Sequence, residues 1–495
     1  MQPIFRRSMN MHRTSFFLTV LVITSGLLVA LPAQAQFKLV KISKDSFQNP
    51  DSQHKSEVEP DTFAWGNTIV STFQVARIYG GGGADLGFST STDGGNTWTQ
   101  GYLPGLTDNY KGGLYVAASD ASVAYDAKHG VWLISSLPIS NTGVDVGVSR
   151  STDGLHWDAP ILVDRSGGDD KNWIVCDNTS TSPFYGNCYT EWDSSSALMS
   201  TSTDGGQTWG AAKAPADRNW GIGGQPLVQP SGKVVVPIAG DSGMIVFNST
   251  DGGVSWSNTT LISSVSSHGE AGGLRSANLP TAEIDKAGRI YVVWSDCRFR
   301  KSCSTNDLVM STSKNGTKWT APVRIPIDDT GSTVDHFIPG LGVDPKTKGA
   351  AAHLTLAYYY YPVSACGSNC ELDVGFTTSQ DGGKTWTAGQ QLAGPMKLSW
   401  LPNTFSGLMV ADYISTSYVK GNPFAVFAVA KAPSGGLLNE AMYTTTTPLL
   451  ASSNVSRFSS RGERPVPNAK SDHPYVRFHD VERQGPPEKE NKETE

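Results

Sequence analysis

Short apolar runs alternate with turn-forming residues along most of the chain, and the pattern repeats. The stretch TAEIDKAGRIYVVWSD, residues 281–296, contains an apolar segment, a polar turn and a second apolar segment. A third segment, DLVMSTS at 307–313, and a fourth, APVRIPI at 321–327, follow it. Short apolar runs bounded by Gly, Asp or Pro are typical of strands, so this unit predicts four strands joined by turns.

The two-strand motif of this unit recurs along the chain. Its seven copies begin near Pro60, Ser122, Asn172, Pro226, Pro280, Pro339 and Gly407. Because four-stranded sheets repeated around an axis form a β-propeller, we predict an all-β propeller of four-stranded antiparallel blades. Seven blades are favoured, with six as the alternative. The last unit lacks a fourth strand, and FKLVKIS at 37–43 is the expected strand that completes it and closes the ring.

An octet follows the third segment of most units. STDGGNTW (91–98) recurs as STDGGQTW (202–209), STDGGVSW (249–256) and SQDGGKTW (379–386), with shorter copies STDGLHW (151–157) and SKNGTKW (313–319). Its Gly suits the positive φ of a tight turn, its Asp accepts backbone hydrogen bonds, and its Trp offers a large apolar surface. We therefore expect a structural turn rather than a ligand site. The structural aspartates are Asp93, Asp153, Asp204, Asp251 and Asp381.

The octet resembles the Asp-box of bacterial sialidase (neuraminidase) repeats, the BNR repeats, whose pattern is S-x-D-x-G-x-T-W. The resemblance implies a propeller in which the boxes lie on the face opposite the active site. It also implies a glycoside hydrolase of the exo-α-sialidase type that acts on glycans, most readily anionic ones. In that family three arginines hold the substrate carboxylate, a carboxylic acid assists the leaving group, and a carboxylate-activated tyrosine is the nucleophile.

Candidate site residues lie in the loops at the end of the units opposite the boxes. By loop position, Asp61 is the candidate catalytic acid and Glu270 the candidate partner of the nucleophile. The candidate substrate-binding residues are Arg77, Arg218, Arg275 and Arg298. A surface arginine more often braces a loop than binds a ligand, and Arg298 adjoins a cysteine.

The chain departs from sialidases in its first unit and in its nucleophile. The F-R-I-P signature is replaced by PDTFAW at 60–65, and no Tyr–Glu pair is identifiable, although Tyr361 could reach the mouth. Two alternatives therefore stay open beside the sialidase type. One is another Asp-box glycosidase that uses two carboxylates, and the other is a non-catalytic propeller that binds glycans or proteins. Whether the chain is an enzyme is left open.

Composition and charge restrict the classes of ligand that the protein is expected to bind. The chain has 495 residues, a formal net charge of -6 and 17% charged residues, which gives no indication of nucleic-acid binding. No Gly-rich phosphate motif opens a helix, so we expect no cofactor. We also expect no metal, and bound calcium stays open because DRSGGDDK at 164–171 is acidic but lacks the spacing of an EF-hand.

Six cysteines fall into close neighbours, which indicates an oxidising compartment. The favoured disulfides are local: Cys176 with Cys188, Cys297 with Cys303, and Cys366 with Cys370. Other pairings remain possible from sequence alone. A zinc site is the rival, but no matching pair of short Cys or His motifs is present.

The two ends of the chain differ from the repeats. Arg6, Arg7 and Arg13 precede an apolar run at 16–31 and the small-residue site AQA at 33–35, so residues 1–35 are predicted to be a signal peptide. The propeller is expected at 36–451. Residues 452–495 are polar and charged, and we expect a flexible tail there. The mature chain should be a secreted monomer, extracellular or periplasmic, with a glycan partner and no membrane span.

Overall fold

A computed structural model describes residue 1, residues 37–450, 455–460 and 462–466. The predicted signal peptide lies outside these residues except for Met1. The described residues form strands and five short 3-10 helices, with no α-helix among them. Within this same part of the chain, no helix is long and apolar enough to cross a membrane.

The described residues contain thirty-two strands. They are β1 (Leu39–Lys41), β2 (Glu57–Trp65), β3 (Thr68–Arg77), β4 (Gly83–Ser91), β5 (Thr99–Tyr102), β6 (Ala117–Asp126), β7 (Val131–Ser140), β8 (Gly143–Val144), β9 (Val146–Ser151), β10 (Ile161–Asp164), β11 (Asp170–Cys176), β12 (Cys188–Asp193), β13 (Ala197–Ser202), β14 (Leu227–Val228), β15 (Val234–Gly240), β16 (Gly243–Ser249), β17 (Thr260–Ser263), β18 (Thr281–Ile284), β19 (Ile290–Asp296), β20 (Asp307–Ser313), β21 (Val323–Arg324), β22 (Asp335–Val343), β23 (Leu354–Tyr361), β24 (Glu371–Ser379), β25 (Thr385–Thr387), β26 (Gln390–Lys397), β27 (Asn403–Thr404), β28 (Gly407–Leu408), β29 (Ser415–Val419), β30 (Asn422–Ala430), β31 (Glu440–Thr445) and β32 (Arg457–Ser459). The 3-10 helices are Ala271–Gly273, Lys301–Cys303, Gly349–Ala351, Gly367–Asn369 and Leu398–Trp400.

The strands pair into small antiparallel sheets in a β-propeller arrangement, which confirms the all-β propeller prediction. Four sheets have four strands: β14-β15-β16-β17, β18-β19-β20-β21, β22-β23-β24-β26 and β1-β31-β30-β29. A nine-stranded sheet contains β2 to β10, and β11-β12-β13 form a three-stranded sheet. The pairs β25-β32 and β27-β28 form two separate two-stranded sheets.

The predicted number of blades is wrong. Sheets of four or more strands number five in the described residues, four of them four-stranded and one nine-stranded, rather than seven or six. One cause is a single bridging pair, Gly83 with Ala118, which joins β4 to β6 and merges two repeat units into one sheet. The other is the unit at β11–β13, whose fourth segment forms only an isolated bridge between Lys213 and Met199.

The expected pairing of the two chain ends is confirmed. β1 pairs antiparallel with β31, with Leu39 opposite Thr445 and Lys41 opposite Tyr443. Strand β1 therefore supplies the fourth strand that the last unit lacks. The edge of β31 is covered, which removes an exposed ladder of backbone groups.

The hydrophobic core is divided into layers between neighbouring sheets. One layer combines Tyr291 and Met310 of the β18–β21 sheet with Leu341 and Leu356 of the next sheet. Both faces of most inner strands are buried, so these strands read as continuous apolar runs rather than as alternating ones. This burial explains why the apolar segments, rather than a strict alternation, identify the strands.

Each box forms the turn after the third strand of its unit, as predicted. Asp204 Oδ1 accepts hydrogen bonds from the backbone N–H groups of Gln207 and Thr208, both at 3.0 Å, and Oδ2 accepts from Thr208 Oγ1 at 2.6 Å. Gly205 and Gly206 have φ of 72° and 78°, and a Cβ on Gly206 would lie 2.8 Å from Leu133 of the preceding unit. The box aspartate thus holds a turn that packs against its neighbour.

The three predicted disulfides are confirmed. Cys176–Cys188 ties β11 to β12, and Cys297–Cys303 and Cys366–Cys370 each close a short loop at the opposite end of the sheets from the boxes. These loops connect second to third strands, so the two short disulfides fix the backbone where we expected the site.

The described part of the predicted tail packs against the sheets. Strand β32 pairs with β25, so that Phe458 lies opposite Trp386 of a box. Farther along, Glu463 pairs with Arg324 at 3.3 Å, and Val466 N–H donates to the carbonyl of Arg298 at 2.9 Å. Residues 455–460 and 462–466 therefore contact the sheets, and most of the predicted tail lies outside the described residues.

Candidate functional site

The mouth, defined as the end of the sheets opposite the boxes, is built on bulged first strands. The register shifts between Val58 and Asp61 in β2, between Ser119 and Ser122 in β6, and between Asp170 and Trp173 in β11. The residue inside each shift has positive φ: Glu59 (56°), Asp120 (47°) and Lys171 (44°). A bulge redirects its side chain, and positive φ on such residues is costly, so the surrounding contacts must hold it.

Those contacts are a buried ionic network, which we call the lysine hub (Lys171, Glu59, Asp120, Asp412 and Arg275). Lys171 Nζ donates to Asp412 Oδ2 at 2.7 Å, to Asp120 Oδ1 at 2.9 Å and to Glu59 Oε1 at 3.2 Å. One ammonium with three donors therefore joins three separate units of the chain.

Arg275 completes the lysine hub. Its Nε donates to Asp412 Oδ1 at 2.9 Å and its Nη2 to Asp412 Oδ2 at 2.5 Å, a bidentate pair. Against the effect of burial, Arg275 and Lys171 hold the pKa of Asp412 well below its usual value. Arg275 is predicted to bind substrate, and in the structure its guanidinium lies in this pair.

Charge in the lysine hub balances through a proton on Glu59. Its five side chains are at most 5% exposed, and three carboxyl groups face two cations. Burial raises the pKa of Glu59 to about 8, although Lys171 opposes this. This raised pKa favours the neutral form of Glu59, because an unbalanced charge is costly to bury. Such a network of buried ion pairs suits a structural role, because it holds the units together at the mouth.

The other predicted arginines lie in separate surroundings. Arg77 is 1% exposed and donates from Nη1 to Gly82 O at 2.5 Å. Arg298 pairs with Asp296 through Nη2–Oδ2 at 2.6 Å and Nε–Oδ1 at 2.9 Å, and Arg218 is exposed. Arg298 also donates from Nη1 to Ser263 Oγ at 3.2 Å, so it braces its loop. Arg77, Arg275 and Arg298 thus each hold a different acceptor, namely the Gly82 carbonyl, Asp412 and Asp296.

Asp61, the predicted acid, is buried in the middle of β2. Its Oδ2 accepts a hydrogen bond from the backbone N–H of Val123 at 2.8 Å. Burial raises its pKa to about 7. The side chain thus holds the β2–β6 contact, and at 3% exposure it has little access to a ligand.

Glu270, the predicted partner of the nucleophile, lies in a second network, which we call the acid–base cluster (His268, Glu270, Asn306, Asp335 and Tyr361). His268 and Glu270 precede the 3-10 helix Ala271–Gly273, whereas Asp335 begins β22 and Tyr361 ends β23. Asn306 comes just before β20. The ends of three strands and one loop therefore converge here.

Asn306 connects the two acidic groups of this cluster. Its side-chain Nδ2 donates to Glu270 Oε1 at 3.1 Å, and its backbone N–H donates to Asp335 Oδ1 at 2.7 Å. Its Oδ1 accepts from the backbone N–H of His268 at 2.8 Å. One asparagine thus fixes the loop that carries His268 against the strand that carries Asp335.

A histidine–aspartate pair is the second part of the cluster. His268 Nδ1 lies 3.1 Å from Asp335 Oδ2, with the Asp335 side chain fully buried and a quarter of the His268 side chain exposed, at 25%. A buried carboxylate that binds one ring nitrogen fixes the orientation of the imidazole, as in hydrolases that use histidine as a base. Burial, with a further contribution from Asp335, raises the pKa of Glu270 to about 8.

Tyr361 packs beside these acids. Its hydroxyl donates to the carbonyl of Ala271 at 3.1 Å, next to Glu270 in the chain, and its ring is fully buried. Burial and the charges of Glu270 and Asp335 raise its pKa above the usual value for tyrosine. The Tyr–Glu neighbourhood that the sequence did not reveal is therefore present, but the hydroxyl is neutral and covered.

A third network resembles a metal site in its residue types. Asp307, Asp328 and His336 offer ligand atoms within 4.8 Å of one another. However, Arg300 Nη2 lies 2.5 Å from Asp307 Oδ1, and Arg324 Nη2 lies 2.5 Å from Asp328 Oδ1. Two guanidinium groups already balance the two carboxylates, so the residues fit an ion-pair network better than a divalent cation.

Comparisons with known proteins agree with the repeats. Residues 145–339 match a family model described as a BNR repeat-like domain. No curated protein matches the chain. The matched range contains four of the six boxes, at 151–157, 202–209, 249–256 and 313–319.

Among solved structures, similar ones include sialidases and a polysaccharide lyase. A Hadza microbial sialidase is 13% identical with a TM-score of 0.41, and the match covers 80% of this chain but 66% of that one, just under two thirds. The NanB sialidase from Streptococcus pneumoniae is 15% identical with a TM-score of 0.40, covering 83% of this chain and 70% of that one. A PL25 ulvan lyase is 10% identical with a TM-score of 0.46, covering 82% and 95%. Such identities transfer no activity, so the residues of the mouth must indicate the chemistry.

Proposed function

We propose that this protein, which carries BNR repeats of the sialidase-like type, cleaves glycosidic bonds in glycans at the acid–base cluster. Glu270 donates a proton to the leaving oxygen, and His268, oriented by Asp335, accepts one from water or from the sugar. The observation that supports this most strongly is the joint attachment of Glu270 and Asp335 to Asn306, at 3.1 and 2.7 Å. A protonated acid and an oriented base side by side are the groups that general acid–base catalysis needs.

We assign the acid role to Glu270 rather than to Asp61. Both have a raised pKa, about 8 and about 7, so both hold a proton at mildly acidic pH. Asp61 is almost fully buried and bonds to a backbone N–H of a neighbouring strand, whereas Glu270 is partly exposed beside His268. Only a group that reaches the substrate oxygen can transfer a proton to it.

Exo-sialidase activity is the first specific reaction to test. Tyr361 and Glu270 lie together, as the family's tyrosine and carboxylate do, but Tyr361 is fully buried. For sialidase chemistry the 266–273 loop would have to move away from the Tyr361 hydroxyl. Arg275 and Arg298 are matched by Asp412 and Asp296, so an acidic sugar has to compete with these carboxylates for either arginine.

The remaining parts of the biological setting are also proposals. We propose that residues 1–35 direct export, that 36–451 form the catalytic unit and that the mature protein acts outside the cytoplasm as a monomer. Three disulfides support an oxidising compartment.

A glycan panel with matched variants tests the assignment. The purified protein is incubated with aryl glycosides, sialosides and acidic polysaccharides, and products are followed as reducing ends and as unsaturated uronates. Glu270→Gln and His268→Ala should each lower turnover by about 10²–10⁴-fold. Glu283→Gln is the control, because burial also raises the pKa of Glu283 to about 8 but it lies outside the cluster.

The products also decide between reactions. Reducing ends without unsaturation indicate hydrolysis, and unsaturated uronates indicate elimination. If wild-type protein cleaves nothing in the panel but binds a member of it, the non-catalytic glycan-binding alternative replaces the enzyme proposal. Equal losses in Glu283→Gln and Glu270→Gln would remove the acid role from Glu270.

A further inference from the structure

A pocket that contains none of the residues of the acid–base cluster lies between β5 and the segment that follows β1. Its volume is about 310 Å³, and its lining residues are Lys44, Ser46, Phe73, Gln100, Gly101, Tyr102 and Tyr110. No role is assigned to these residues by the repeats or by the proposed chemistry. The volume is of the order of the smaller ligand pockets in proteins.

The pocket lies beside a row of the sheet in which a glycine separates two aromatic residues. Phe73 of β3 pairs with Gly87 of β4, and Gly87 pairs with Tyr102 of β5. A Cβ on Gly87 would lie 2.5 Å from Phe73 Cε2, so the phenylalanine ring occupies the space above the glycine. Phe73 and Tyr102, which lie on opposite sides of Gly87, both line the pocket.

The aromatic walls are fixed before any ligand binds. The Tyr102 hydroxyl donates to the carbonyl of Lys44 at 2.6 Å and accepts from the backbone N–H of Ser46 at 3.1 Å. The rings of Phe47 and Tyr110 flank Tyr102 at centroid distances of 4.7 and 5.4 Å, Tyr110 at an interplanar angle of 76°. Two tyrosines at a steep angle thus form a rigid corner, which reduces the entropy lost on binding.

The rim of this corner is polar and cationic. The side chains of Lys44 and Gln100 are exposed, and Lys111 Nζ lies 5.2 Å from the Tyr110 ring centroid. The nearby Asp45 carboxylate is occupied, because it accepts hydrogen bonds from the backbone N–H groups of Phe47 and Lys55. The exposed Lys44 and Lys111 supply positive charge at this rim, beside the buried Asp45.

We propose that this corner is a second, non-catalytic site that binds one acidic sugar unit of the glycan substrate. The C–H face of a pyranose packs on Tyr102 and Tyr110, while Gln100 and Ser46 bond its hydroxyls and Lys44 its carboxylate. Amphipathic tyrosines suit such a ligand because it is apolar on one face and polar at its edges. The choice of a glycan as ligand rests on the proposed function.

Binding is measured in the cleavage-impaired Glu270→Gln protein, so that the substrate persists. The probes are 3′-sialyllactose and trigalacturonate, with lactose as the neutral reference, followed by calorimetry and saturation-transfer NMR. Tyr110→Ala should weaken binding of the acidic probes at least tenfold. Lys44→Ala should weaken the acidic probes while leaving lactose unchanged.

Two exposed residues of similar chemistry outside the pocket serve as controls. Lys38→Ala removes another exposed lysine close to β1, and Trp65→Ala removes another exposed aromatic ring, at 41% exposure. Neither should alter binding. Gln100→Ala, a change at an exposed position, should weaken binding even if Tyr110→Ala proves less stable.

The two proposals fail separately. Unchanged binding in Tyr110→Ala, Lys44→Ala and Gln100→Ala overturns the second site, even when Glu270→Gln abolishes cleavage. Weakened binding in these variants supports the second site, even when no glycan is cleaved by the wild-type protein. Loss of binding in Lys38→Ala as well would show a non-specific charge effect and would also overturn it.

Discussion

The box end and the mouth are built on the same strands but differ in their hydrogen bonds. At the box end, one local hydrogen-bond pattern recurs, and Asp93, Asp204 and Asp251 each accept from groups within four residues of themselves. At the mouth, the units contribute different residues, and the partners of Lys171 are Glu59, Asp120 and Asp412. The repeated residues at the box end therefore have a structural role. The residues at the mouth differ from unit to unit, and this end is the surface available for function.

The largest predicted effect concerns the lysine hub. Lys171→Met leaves the Asp120 and Asp412 carboxylates and Glu59 buried without their shared ammonium. Breaking a buried ion pair from one side typically costs about 3–5 kcal/mol, so the variant should lose that much free energy of unfolding or fail to fold. Urea denaturation measures it. Lys314→Met, at an exposed box position, is the control and should change stability by less than about 0.5 kcal/mol. Similar losses in both variants would contradict a structural centre at the mouth.

The pH dependence of stability should have opposite signs at the two ends. Glu59 and Glu270 have folded pKa values near 8 against an ordinary 4.5, so their contribution is complete below about pH 4.5 and is lost as pH rises through 8. Hydrogen bonds from Thr97 lower the pKa of Asp93 to about 2, so its contribution is present above pH 4 and is lost towards pH 2.

We therefore expect the melting temperature to fall between pH 5 and pH 8.5. Glu270→Gln should reduce this fall, because a neutral amide does not titrate, whereas Asp93→Asn should leave it unchanged. A melting temperature that rises over this range would show that the buried carboxyls are ionised in the folded protein.

Sequence reasoning succeeded where the decisive contacts are local. The box turns depend on residues within one octet, and the disulfides close short loops, so spacing predicted both. The pairing of β1 with β31 is long-range. It was predictable because the last unit lacks a fourth strand and the first strand belongs to no unit of its own. The blade count failed because a single Gly83–Ala118 pair decides whether two units form one sheet, and no residue pattern encodes that pair.

The site was harder to predict because its partners are distant in sequence. Arg275 was expected to bind substrate, yet Asp412, 137 residues away, binds its guanidinium. Nothing in the sequence around Asp412 suggests an ionic partner. Glu270 was found from its loop position, but Asn306, which links it to Asp335, precedes a strand that resembles all the others. The partners of Arg275 and Glu270 are therefore visible only in the folded chain, and the site roles assigned to both residues stay predictions.

A moderate effect is expected from a box aspartate. Asp204→Ala removes the acceptor of two backbone N–H groups and of the Thr208 hydroxyl, all near the surface, where water replaces part of the lost bonding. The free energy of unfolding should fall by about 1–2 kcal/mol, with turnover or glycan binding per folded molecule unchanged. Asp158→Ala, an exposed aspartate near another box, is the control. Loss of binding at normal stability would place a ligand site at the box.

The smallest effect comes from restoring a box. In the short box at 151–157, Asp153 Oδ2 lies 2.7 Å from His156 Nδ1, and the equivalent residues of the other short box are Asn315 and Lys318. Asn315 Oδ1 already accepts from the Lys318 N–H at 3.0 Å. Asn315→Asp would keep this acceptor and add a carboxylate oxygen beside the Lys318 ammonium. Because both side chains are exposed, the gain should be about 0.2–1 kcal/mol, measured by urea denaturation.

Salt and a second substitution separate this ion pair from a general improvement of the turn. The gain should shrink as salt is raised, since exposed charges are screened. It should largely vanish when Lys318→Met is combined with Asn315→Asp. Lys233, whose ammonium donates to the Asn315 carbonyl at 2.7 Å, is a second cation that the new carboxylate would meet. If the gain persists in Lys318→Met but disappears in Lys233→Met, the restored box is stabilised by its neighbouring unit rather than from within the turn.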